Sequence, residues 1–71
     1  MNKINIYFAG DSNIKLDVNS SGMGEKSIDE QQADDFKYWL ARQHDNYCKI
    51  NLSSGRSIII LKQNILYVEF I

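Results

Sequence analysis

Residues 3–8, KINIYF, alternate between apolar and polar with a period of two. Ile4, Ile6 and Phe8 fall on one side, and Lys3, Asn5 and Tyr7 on the other, which predicts a half-buried strand. Turn-forming residues follow in AGDS, 9–12. NIKLDVN, 13–19, then alternates again with Ile14, Leu16 and Val18 inward, so the two runs read as a hairpin. NSSGMGEK, 19–26, has no periodicity and two glycines, the mark of a loop. Ser27-Ile28-Asp29-Glu30 fits a capping box, in which the Ser27 hydroxyl takes the Glu30 N–H and the Glu30 side chain returns to Ser27. A helix is therefore expected from Ser27 to about 43–45, with Ile28, Ala33, Phe36, Trp39 and Leu40 on one stripe. Its carboxylates lie early (Asp29, Glu30, Asp34, Asp35) and Arg42 and His44 late, as the helix dipole favours.

YCKINLS, 47–53, alternates with Cys48, Ile50 and Leu52 inward; Ser54-Gly55 supplies a turn, and 56–61 and 65–71 read as two more strands about the connection KQN, 62–64. The order ββ-α-βββ predicts an α+β fold: a largely antiparallel five-stranded sheet with one helix packed on one face. The last two strands differ from the first three. Ile58 and Ile60 oppose Ile59 and Leu61, and Leu66, Val68 and Phe70 oppose Ile65, Tyr67 and Ile71. Strands apolar on both sides need cover on both faces. One helix covers only one, so Ile59, Leu61, Ile65, Tyr67 and Ile71 are the expected contacts of a homo-oligomer.

Length strengthens that expectation. With 71 residues the chain forms one domain, 1–71, with a small core that commonly needs a supplement. One Cys and one His provide neither an internal disulfide nor a metal cage, so no metal or cofactor is expected and oligomerisation remains. A net charge of −1 argues against a general nucleic-acid field. No apolar run approaches the roughly 20 residues of a membrane span, and the alternating MNKINIYFAG lacks a signal-peptide block. A cytoplasmic setting is expected.

Two candidate sites stand against plainer readings. Ser21, Gly22, Gly24, Lys26 and Ser27, joined by Lys49 and Arg56, suit a small anion such as a nucleotide: a glycine loop, a helix N-terminus and cations. Glu25 between Gly24 and Lys26 breaks the Walker A pattern, and a mobile loop before a capped helix explains the same residues. Lys3, Asn5, Tyr7, Lys15, Tyr47, Lys49 and Asn51 share one sheet face if the five-stranded register holds, and basic residues between aromatics suit single-stranded nucleic acid. The plainer reading is a solvated face. His44, Asp45 and Cys48 do not make a catalytic group, because the alternation turns Cys48 into the core. No enzyme is expected.

The stretch GRSIIILKQNILYVEF, 55–70, resembles the closing strands of Sm-like small barrels: glycine turn, apolar strand, short polar connection, apolar-aromatic strand. The helix stands mid-chain rather than first, so the resemblance carries no RNA-binding residue with it. In size and Asn/Ile/Lys-rich composition the chain also resembles small phage and mobile-element accessory proteins, which implies an inhibitor that blocks a host protein or sequesters a small anionic ligand. A homo-oligomeric binding protein of that kind is the expected function. A single-stranded nucleic-acid-binding regulator is the alternative.

Overall fold

In the computed structural model, which describes residues 3–19, 26–42 and 44–71, the alternating runs become strands. They are β1 (Lys3–Phe8), β2 (Ser12–Val18), β3 (Ser27–Ile28), β4 (Tyr47–Asn51), β5 (Ser57–Leu61) and β6 (Ile65–Phe70). Among the described residues one α-helix, α1, spans Glu30–Arg42, and a 3-10 turn, Lys62–Asn64, separates β5 from β6. The α+β class with mostly antiparallel strands matches the sequence expectation. The single five-stranded sheet does not form. There are two sheets, β3-β2-β1-β6 and β4-β5.

The reason lies in the last strand. The 3-10 turn redirects the chain, and β6 pairs with β1 instead of β5, matching Ile4 to Phe70 and Ile6 to Val68. At the other end of that sheet, β3 lies parallel to β2, with Asp17 opposite Ser27 and Val18 opposite Ile28. Ser53 then donates its N–H to the Ser27 carbonyl at 2.7 Å, joining β3 to the residues just after β4. The two sheets are thus linked at one side by that bond and at the other by the 3-10 turn.

One core fills the space between them. Ile4, Ile6, Leu16, Val18 and Ile28 meet Ile50, Leu52 and Ile60, with Ala33, Phe36 and Trp39 of α1 among them. The expected helical stripe is therefore correct from Ala33 to Leu40, the last of these half-buried against the core. Its first member is not helical: Ile28 is buried in β3.

The capping box is also corrected. Ser27 lies in β3, and Asp29 caps the helix, its Oδ1 accepting the Gln32 N–H at 2.8 Å. The sequence holds two nested caps, Ser27-x-x-Glu30 and Asp29-x-x-Gln32. The second prevails because the backbone of 26–28 is already engaged. Lys26 and Ile28 carbonyls accept from Asp17 and Asn19, and that of Ser27 from Ser53. The turn between β1 and β2 is tight, with Gly10 and Asp11 both at positive φ (86° and 63°), and Gly55 at 95° serves the β4–β5 turn.

Candidate functional site

The outer face of the four-stranded sheet is built by register. Tyr7 lies opposite Tyr67, Asn5 opposite Lys15 and Glu69, and Lys3 opposite Asp17. The two tyrosine rings stack with centroids 4.5 Å apart and planes 18° from parallel. The Tyr7 hydroxyl is hydrogen-bonded to Glu69, which, with some desolvation and the negative charge nearby, raises its pKa above the ordinary 10.0. Tyr7, Phe8, Asn13, Leu66, Tyr67 and Asp11 line a shallow groove beside this pair. Asn5, expected to be solvated, is buried beneath its neighbours, and its Oδ1 has no partner.

The outer face of the smaller sheet is separate. Tyr47 lies opposite Leu61, Lys49 opposite Ile59 and Asn51 opposite Ser57. The expected platform of Lys3, Asn5, Tyr7, Lys15, Tyr47, Lys49 and Asn51 is thereby divided between two sheets. On the first, Lys3 and Lys15 are interspersed with Asp17 and Glu69, so no continuous basic stripe forms for a phosphate backbone.

The anion-site residues are placed as follows. Ser21, Gly22 and Gly24 lie outside the described residues. Lys26 is exposed, whereas Ser27 is fully buried and its hydroxyl is without a hydrogen-bond partner. The Ser53–Ser27 bond brings β3 beside the turn that carries Arg56, while Lys49 stands on the outer face of β4. The hollow at the start of α1 is lined by Val18, Ala33 and the carboxylates Glu30 and Asp34, a setting that repels anions.

The apolar residues of the last strands divide by exposure. Ile59, Tyr67 and Ile71 are 63, 56 and 60 % exposed, and Leu61 is 42 % exposed. Ile65 is half-buried and packs on the core, while Leu66 is 66 % exposed. The exchange comes from a bulge: the register slips between Tyr7 opposite Tyr67 and Phe8 opposite Ile65, which strict alternation does not foresee.

Two further residues carry weight that the pattern did not reveal. Gln32 reaches from α1 to accept the Asn51 N–H through its Oε1 at 3.1 Å, closing the outer edge of β4. Lys62 donates to the Trp39 carbonyl at 3.2 Å and sets its ammonium 5.0 Å from the Trp39 ring centre. The only sequence signal for Gln32 was its place three residues after Asp29.

His44 is exposed, the Asp45 carbonyl accepts the Trp39 Nε1–H, and Cys48 is half-buried with its pKa raised by desolvation and by Asp35. Among the described residues no group of His, Cys, Asp or Glu has the arrangement of a metal site, and no helix is long and apolar enough to cross a membrane. No protein family, curated protein or solved structure matches the chain.

Proposed function

We propose that the chain is a small non-enzymatic, homo-oligomeric binding protein of the cytoplasm that acts by occupying the surface of another protein. The observation that carries this reading is the exposure of large apolar side chains on β5 and β6. The core is filled without Ile59, Leu66, Tyr67 and Ile71, each more than half exposed. Large apolar side chains left outside a filled core are the groups with which a protein of this size can bind another, and Leu66 and Tyr67 line one groove. The rows divide the work. Ile59 and Leu61 serve contact between copies. The face with Tyr7, Leu66, Tyr67 and Ile71 serves the other protein, with aromatic rings as rigid anchors.

Sequestering a small anion has weaker support, because carboxylates line the hollow beside α1. Single-stranded nucleic acid has weaker support for the reason given by the divided lysines.

The test is affinity capture from the source cells followed by native mass spectrometry, with wild type beside a Leu66→Ser/Ile71→Ser double variant. Both positions are exposed, so the fold should change by no more than about 0.5 kcal/mol per site. The reading expects a stoichiometric complex with one other protein, lost in the folded variant. Equal capture by both proteins, or a bound small molecule in place of a protein, would overturn it.

A further inference from the structure

We infer that two copies of the chain join edge to edge through β5, in antiparallel pairing about a two-fold axis at Ile59. This rests on the homo-oligomeric part of the proposed function and specifies how it is built.

Alternation within the smaller sheet decides which backbone groups are free. Leu52 donates to the Arg56 carbonyl and Lys62 to that of Asn46, so pairs 52/56 and 46/62 are hydrogen-bonded. The register between them is unbroken, with Cys48 opposite Ile60 and Ile50 opposite Ile58. Hydrogen bonds in an antiparallel ladder fall on every second pair. The even residues of β5 therefore point their N–H and C=O groups at β4. Ser57 and Ile59, with the N–H of Leu61, point theirs at the open edge.

The sheet margins are unequally protected. The outer edge of β4 is closed by Gln32 at Asn51. β3 has only two residues and is tied to Ser53. β6 carries Glu69 and a bulge, both of which discourage edge pairing. β5 has none of these devices: its sequence, SIIIL, holds no charge, no proline and no bulge. An edge of that kind is a template for another strand.

A second copy fits it by symmetry. Centring the pair on Ile59 sets Ser57 against Leu61 and Ile59 against its own copy, so all five residues overlap and no charges meet within the strand. Cations flank the strand on both sides, and this register sets Arg56 of one copy opposite Lys62 of the other, whose ammonium is directed to its own Trp39. A register shifted by one residue would oppose the free groups of one strand to the inward-facing groups of the other. The chosen register keeps like faces together. It places the exposed Ile59 side chains side by side on one four-stranded face, β4-β5-β5-β4, near Tyr47 and Leu61. Such an isologous contact closes on itself as a dimer.

The test is light scattering on wild type, Ile59→Lys, Ile59→Glu and an equimolar mixture of the two variants. Ile59 is exposed and its backbone groups do not serve β4, but Lys49 stands directly opposite it in the same chain, so circular dichroism on each variant checks that Ile59→Lys, which adds a like charge there, keeps the fold. Wild type should have twice the 8.2 kDa of the chain at micromolar concentration. Each variant alone should dimerise at least about tenfold more weakly, because like charges would lie directly opposite. The mixture should recover a heterodimer, since Lys then faces Glu. A monomeric wild type, a ring larger than a dimer, an Ile59→Lys protein as dimeric as wild type, or a mixture no tighter than its components would each overturn the pairing. Capture of another protein through Leu66 and Ile71 is read separately, so failure here leaves that result intact.

Discussion

The Ser27 hydroxyl is a buried oxygen without a partner, whereas Asp29 holds the helix by an actual bond. The two residues therefore respond in opposite senses to truncation. Ser27→Ala removes an oxygen that was desolvated for no return, so stability should be unchanged or rise by about 1 kcal/mol. Asp29→Ala removes the cap and should cost about 1 kcal/mol. Denaturation midpoints in urea measure both, and a loss on Ser27→Ala would restore the capping box at Ser27. Tyr7 gives a second prediction at this scale. Its pKa is raised, chiefly by the hydrogen bond to Glu69, so the fold favours the neutral phenol. That contribution is complete below the ordinary 10.0 and disappears as pH rises through the higher folded value. Absorbance titration should show a late tyrosine that is absent in Tyr7→Phe and moves toward the ordinary value in Glu69→Gln. If Glu69→Gln leaves it late, the bond is not its cause.

Among the elements, α1 has two tasks: Phe36 fills the core and Gln32 closes β4. A domain of 71 residues has a net stability of about 4–10 kcal/mol. Phe36→Ala should remove about 3–5 kcal/mol of it and lower the melting temperature by roughly 12–40 °C, as circular dichroism would show. Gln32→Ala should cost only about 1 kcal/mol but should specifically speed hydrogen exchange at the Asn51 amide. A uniform rise across all amides would assign Gln32 to global stability instead. Phe36 was legible in the sequence because helical spacing is a local property, and so was every strand longer than two residues. Gln32 was not, because its partner lies 19 residues away and nothing local records that distance. β3 escaped for a related reason. Ser27 and Ile28 suit a helix start, and only pairing with Asp17 and Val18 and the bond from Ser53 make them a strand. That the last strands are apolar on both sides was visible in the sequence, but the bulge that exchanges Ile65 for Leu66 depends on β1, far away in the chain.

For the molecule as a whole, the question is whether two sheets make one folding unit. The β4–β5 pair by itself is a hairpin, marginal in water. Its inward side chains, Ile50 and Ile60, belong to the same core as Ile4 and Ile6 of the larger sheet, with Phe36 and Trp39 packed among them. The margins are joined as well, by Ser53 to Ser27 at one side and by the 3-10 turn at the other, where Ala9 donates to the Asn64 carbonyl. Opening either sheet would expose the common core, so neither has an independent stable state. Unfolding should then be a single transition. Trp39 reports it locally, since its ring lies under Lys62 and its Nε1–H donates to the Asp45 carbonyl just before β4. Far-ultraviolet circular dichroism reports all strands and the helix together. The fluorescence and dichroism curves in urea should superimpose at any fixed protein concentration. An earlier fluorescence transition would mean that β4 and β5 detach first and that the link through Ser27 is too weak to unite the sheets. Raising the concentration should move both curves together to higher urea, because a dimer that forms only from the folded chain stabilises it by mass action.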